Sequence, residues 1–191
     1  SNFMNKQHSQ RLIVGISGAS GIVYGIECLK LLKQAGIESH LIVSKAALQT
    51  LKHESSLSYE ELKALADVHY SNSDIGATIA SGSYRTMGMI IAPCSIRTMS
   101  EIASGFSASL LSRSADVILK ERRRLVLMVR ETPLHAGHLQ SMLDLTNMGG
   151  IIMPPVPAFY SAPESIEDIV TQTAARALDL FEIDCDKLKR W

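Results

Sequence analysis

The chain has 191 residues, 46% of them hydrophobic, and its 19 basic residues balance 19 acidic ones to a formal net charge of zero. That length suits one domain with a sizeable core. The charge balance lacks the basic excess of a nucleic-acid binder, and the longest apolar runs, about six to eight residues, fall far short of the roughly 20 that a membrane span requires.

Strands and helices alternate along the chain. Residues 11–16 read as a strand, 21–34 as a helix that Gly36 ends, 39–43 as a strand, 45–52 and 59–65 as helices, and 68–70 as a short strand. Residues 71–85, rich in Ser, Gly and Ala, read as a long loop. A buried strand at 87–92 follows, then helices at 96–103 and 110–121, a strand at 125–129, a helix at 137–147 and a strand at 151–153. The Pro-rich loop "PPVPAFYSAP" precedes a last helix at 165–181. Short apolar strands between amphipathic helices predict a parallel sheet covered on both faces. The expected fold is a single α/β domain, doubly wound and Rossmann-like or flavodoxin-like, over residues 11–183. Residues 1–10 read as an N-terminal tail whose Ser1, Asn2 and Phe3 look like an expression remnant, and 184–191 as a C-terminal tail. Three scattered cysteines, Cys28, Cys94 and Cys185, with no CxxC, argue against a disulfide framework or a zinc site. With the polar first ten residues, they suit a reducing, cytoplasmic setting.

In such a sheet the ligand sits at the carboxyl ends of the strands. The chemistry-bearing residues collect there: 17–21, Ser44 and Lys45, Pro93 to Ser95, Arg130 and Glu131, Pro154 and Pro155. The stretch "IVGISGASGIVYG", residues 13–25, is a strand, a glycine-rich turn and a helix start, the elements of an anion site. Its G-x-x-G-x-x-G spacing is neither a dinucleotide fingerprint nor a phosphate loop ending in Lys-Ser/Thr. The second strand ends in Ser44-Lys45 instead of an acid for a ribose, which points to a mononucleotide phosphate, with FMN the leading candidate. A ligand-free βα turn fits the same loop. Ser95 caps the helix after it, with Thr98 three residues on. Arg130-Glu131 follows a buried strand, where a carboxylate beside a cation can move a proton or form a surface ion pair. Lys120 and Arg122 to Arg124 read as a solvated helix end, and His53, His69, His135 and His138 as surface or capping residues.

The segments "GISGASGIVYG", "VSKAA", "PCSIRTMSEIASG", "RSADVILKERR", "VRETPLHAGHL" and "PPVPAFY", in order from about Arg11 to Ile183, resemble the UbiX/Pad family of flavin prenyltransferases, older members of which were called aromatic acid decarboxylases. The resemblance implies that reduced FMN takes a dimethylallyl group from dimethylallyl monophosphate onto its N5 and C6 without a metal. The prenylated FMN then goes to a UbiD-type decarboxylase, often in ubiquinone synthesis. It also implies a homo-oligomer, a dodecamer with sites at subunit junctions. By the same resemblance Gly18, Ala19, Ser20, Ser44, Ser95, Ile96, Arg97, Thr98, Arg113 and Arg130 are FMN contacts. Tyr160, Arg176 and Lys120 are phosphate contacts of the dimethylallyl substrate. Glu131 is the proton-handling carboxylate with Ser20 its partner, and Glu54 a further acid. The chain departs from the family in "SDIGATIASGS", which is aliphatic where some members place an aromatic residue, and in Arg124, where many have proline. Three rivals remain. Flavin-dependent cysteine decarboxylases carry a "PASANT" turn where this chain has "PCSIRT". A direct aromatic acid decarboxylase is the second. A non-catalytic FMN carrier is the third, and it would need the phosphate loop alone.

Overall fold

The computed structural model describes residues 10–186. Six strands form one sheet: β1 (Arg11–Ile16), β2 (Glu38–Val43), β3 (Val68–Ser71), β4 (Gly88–Cys94), β5 (Arg124–Val129) and β6 (Gly150–Ile152). Their spatial order is β3-β2-β1-β4-β5-β6, with every neighbouring pair parallel. The order reverses between β1 and β4, so the crevice above their carboxyl ends is where a doubly wound sheet takes its ligand.

Among the described residues seven α-helices flank the sheet, the first six between strands and the last after β6: α1 (Ile22–Gln34), α2 (Lys45–Glu54), α3 (Tyr59–Ala64), α4 (Ile96–Ser104), α5 (Leu110–Lys120), α6 (Ala136–Asn147) and α7 (Ile166–Asp179). Because both faces of a parallel sheet are covered, its strands are apolar at successive positions. In β1, Leu12, Val14 and Ile16 enter one core with α1, α2, α3 and α7. Ile13 enters a second, with α4, α5 and α6. No helix among the described residues is long and apolar enough to cross a membrane.

The structure adjusts a few expected boundaries. β4 runs past Ala92 to Cys94, with its register shifted between Ile91 and Cys94. Pro93 has no N–H to give the ladder, so the shift falls there. The long loop after β3 holds a short 3₁₀ turn, Thr78–Ala80, that buries Ile79. His135 proves to be a helix cap, its ring nitrogen accepting from the N–H groups of Gly137 and His138. Most of the two expected tails, residues 1–9 and 187–191, lies outside the described residues, but Cys185 is buried in the first core.

Candidate active site

The turn between β1 and α1 is built by contacts within the protein. Ser17 is buried and ties the two central strands together. Its hydroxyl donates to the Pro93 carbonyl at 3.0 Å and accepts from the Ser95 N–H at 2.8 Å. Gly21 precedes α1 with φ at 103°, a left-handed conformation open to glycine. Gly18 is small for a different reason: a Cβ there would come within 2.5 Å of the Ala46 Cβ on α2.

The start of α1, expected to hold a ligand anion, holds Glu54, the last residue of α2. One carboxylate oxygen accepts from the N–H groups of Gly21 and Ile22 at 2.8 and 3.3 Å, and the other from the Ser20 hydroxyl at 2.6 Å. A carboxylate at the positive end of a helix is stabilised by the unpaired N–H groups there. Partial desolvation pushes the Glu54 carboxyl up, but the Ser20 hydroxyl, the two backbone N–H groups and the Arg130 charge outweigh it and hold its pKa below the ordinary value. Arg130 closes the arrangement. Its Nη1 donates to the Ser20 carbonyl at 2.7 Å, and its guanidinium lies 5.9 Å from the centre of the Tyr24 ring.

Ser20, Val129, Arg130, Glu131, Thr132, Pro154 and Pro155 line a cavity of about 360 Å³ over the ends of β1, β5 and β6. The Glu131 carboxylate accepts from the Thr132 N–H at 3.0 Å. The expected pairing of Ser20 with Glu131 is therefore corrected: both face one cavity, but the Ser20 hydroxyl is bonded to Glu54, whose charge the helix start holds in place.

A second cavity, of about 310 Å³, opens over β1, β2 and β4, lined among others by Gly18, Ser44, Lys45, Asn72, Ser95, Arg97, Thr98 and Ser109. Three helices begin on it, each with a serine cap. Ser44 accepts from Ala47 N–H at 3.1 Å, Ser95 from Thr98 N–H at 3.1 Å, and Ser109 from Ser112 N–H at 3.2 Å. The caps are neutral, so the positive ends of α2, α4 and α5 are not cancelled by a carboxylate of their own, and Lys45 and Arg97 add charge. Glu101 takes part of the Arg97 charge at 3.2 Å. Glu101 lines the cavity as well, so the three converging helix starts and Lys45 leave it a place where an anion is favoured.

Comparison with known proteins places this geometry. The family model described as Flavoprotein matches residues 1–178. The flavin prenyltransferase UbiX of Escherichia coli K12 is 54% identical over 185 residues, covering 95% of this chain and 98% of that protein. The chain belongs to the UbiX family of flavin prenyltransferases. A crystal structure of AnUbiX (PadA1), in complex with FMN and dimethylallyl pyrophosphate, superposes with a TM-score of 0.94 at 47% identity, covering 96% of this chain and 97% of that one. A dodecameric FMN-dependent UbiX-like decarboxylase from E. coli O157:H7 gives a TM-score of 0.91 at 45% identity, over 95% and 98% of the two chains.

Of the residues that the UbiX resemblance singles out, Gly18, Ser44, Ser95, Arg97 and Thr98 line the second cavity and Ser20, Arg130 and Glu131 the first. Ala19 lies in the turn between them, and Ile96 packs against the second core. Arg113 is exposed on α5 and lines neither cavity. Tyr160 is exposed in a 3₁₀ turn, Phe159–Ser161. Lys120 and Arg176 stand at the opposite edge of the sheet. Lys120 ends α5, just before β5 begins, and is paired with Glu121 at 2.8 Å. Arg176 lies in the last turn of α7, whose following residue Leu180 accepts a hydrogen bond from Arg124, the first residue of β5. One chain does not bring these two cations to Glu131. Sequence reasoning also passed over Asn72, Ser109 and Tyr24. The S-x-x-S pattern of Ser109 and Ser112 was a capping signal, whereas nothing local marks Asn72.

Proposed function

We propose that the protein is a flavin prenyltransferase, moving a dimethylallyl group from dimethylallyl monophosphate to N5 and C6 of reduced FMN. The observation that carries this reading is the pair of adjoining cavities at the switch edge, one built as a phosphate receptor and the other presenting Glu131, Ser20 and Arg130. The donor set of the second cavity fits FMN: Ser44, Arg97 and Thr98 would hold its phosphate at the helix start that Ser95 caps, and the turn at Gly18 to Ser20 would carry it toward the first cavity. Reduced flavin supplies the electron-rich ring atoms that take the allyl group.

The remaining work belongs to the chain. Arg130 is fixed by the Ser20 carbonyl and stabilises negative charge on the departing phosphate. Glu131 carries a proton to or from the reacting pair. Holding the allyl carbon against the flavin is a proximity effect. We read Tyr160, Arg176 and Lys120 as the phosphate clamp of the allyl substrate. Since Lys120 and Arg176 lie at the far edge of their own sheet, the reading needs them from neighbouring copies, and a dodecamer is our proposal for the assembly. Exposed Leu139, Leu143, Val156, Phe159 and Ile166 support association; light scattering of the purified protein would measure it. The product would pass to a UbiD-type decarboxylase. Three unpaired, buried cysteines support a cytoplasmic setting.

The test is anaerobic incubation with reduced FMN and dimethylallyl monophosphate, then mass spectrometry of the extracted flavin. Gain of one five-carbon unit is expected, with Glu131→Gln binding FMN normally and losing transfer. A wild-type protein that holds FMN tightly and returns it unchanged would leave a flavin carrier instead. Dimethylallyl diphosphate in a parallel arm separates the two donors.

A further inference from the structure

The loop after β3 opens on Asn72, which occupies a wall of the second cavity. Its backbone carbonyl accepts from the Leu110 N–H and its side-chain Oδ1 from the Leu111 N–H, both at 2.9 Å. These are two of the orphan donors that the first turn of α5 leaves. With Oδ1 committed, the orientation of the amide is fixed, and its NH₂ group has no partner among the described residues.

The neighbouring hydroxyls are differently placed. Ser95 donates to the Thr98 hydroxyl at 3.1 Å, and the Ser109 and Ser112 hydroxyls share a bond of 3.0 Å. Those protons are taken up within the protein, whereas the Asn72 amide offers rigid donors beside the helix starts at no cost in side-chain ordering. We infer that Asn72 is a flavin-binding residue whose NH₂ group donates to the phosphate of FMN. This rests on the reading of the second cavity as the FMN phosphate site.

Two variants of the full chain separate donation from capping. Asn72→Asp keeps an oxygen for the Leu111 N–H but loses the NH₂ group and adds charge. Asn72→Ala loses both functions and adds none. Dissociation constants for FMN and for riboflavin, which lacks the phosphate, are measured by flavin fluorescence, with melting curves to check folding. The expected result is FMN affinity about tenfold weaker in both variants, riboflavin affinity within about twofold of wild type, and Asn72→Asp melting with wild type. Wild-type FMN affinity in Asn72→Asp leaves only a capping role and overturns the inference. So does weakening in Asn72→Asp alone, which is repulsion, or equal weakening for both flavins. If wild type itself does not prefer FMN to riboflavin, the phosphate reading of the cavity fails, and the inference falls with it.

Discussion

Glu54 is the carboxylate that occupies the start of α1, and its removal has a calculable cost. Glu54→Ala strands the N–H groups of Gly21 and Ile22, held at 2.8 and 3.3 Å, and frees the Ser20 hydroxyl, held at 2.6 Å. Loss of a helix cap costs about 1 kcal/mol, and the charge at the helix pole adds roughly 0.3–1 kcal/mol at an exposed site such as this. The sum, about 1–2 kcal/mol, lowers the melting temperature by roughly 2–8 °C in a chain of this size. Glu54→Gln keeps an acceptor and loses only the charge, so it falls between the two. The pH dependence follows from the lowered pKa of Glu54. A carboxyl with a depressed folded-state pKa stabilises the fold above its ordinary value, 4.5, and that stability is lost as pH falls through the depressed value. The gap between wild type and Glu54→Gln is therefore constant near neutrality and closes below about 4.5. Calorimetry without flavin, at one protein concentration, measures it. Ser20→Ala should destabilise wild type and leave Glu54→Ala almost unchanged, since the two share a bond. Melting of Glu54→Ala within about 1 °C of wild type would show that the helix start does not depend on this carboxylate.

Gly18→Ala places a Cβ 2.5 Å from the Ala46 Cβ, and overpacking of this kind costs about 1–3 kcal/mol. Adding Ala46→Gly should recover part of the denaturant midpoint, less the roughly 1 kcal/mol that glycine costs a helix; no recovery would mean that the clash lies elsewhere. His40 is buried, bonded to Glu38 at 2.6 Å and to the Tyr70 hydroxyl at 2.9 Å, with Arg11, Asp67 and Tyr84 nearby. Burial first, opposed by Glu38, holds its pKa below 6.5, while burial pushes the Tyr70 phenol up to about 12. Neutral in the fold, His40 disfavours protonation, so stability falls as pH drops below 6.5 toward its folded-state pKa. Urea midpoints across that window should fall in wild type and stay flatter in His40→Gln.

The strands themselves and the edge that carries the site were legible because their signals are local. Both-face burial makes β1, β4 and β5 apolar runs, each ending where Ser, Pro or a charged pair begins, and parallel connection then sends all those ends to one side. The occupant of the α1 start was not legible, because Glu54 reaches Gly21 from 33 residues away. The use of Ser17 was hidden in the same way: its hydroxyl reads as a ligand group until Pro93, 76 residues on, is seen to accept from it. Lys120 and Arg176 are a different case. Helices that follow strands run back down the sheet, so a residue at the end of α5 or α7 belongs to the amino edge; the resemblance named the residues without their place in the fold.

The two cavities divide the charge of the edge between them. At α1 the positive helix end is neutralised by Glu54, so the glycine turn that most resembles a phosphate loop in sequence is the one least available to a phosphate. At α2, α4 and α5 the serine caps satisfy N–H groups without cancelling the poles, and an anion gains there. The first cavity is left with Arg130 as the one cation among its described lining residues, opposite Glu131 and close to Glu54. With one cation and one carboxylate among those lining residues, a phosphate ester entering it meets no net positive charge there. Cations from neighbouring protomers are our proposal for holding the ester and stabilising its departing phosphate. That balance supports our proposal of a site completed by neighbouring copies, in which Lys120 and Arg176, paired within their own chain with Glu121 at 2.8 Å and Asp179 at 3.3 Å, would exchange those exposed pairs for a phosphate.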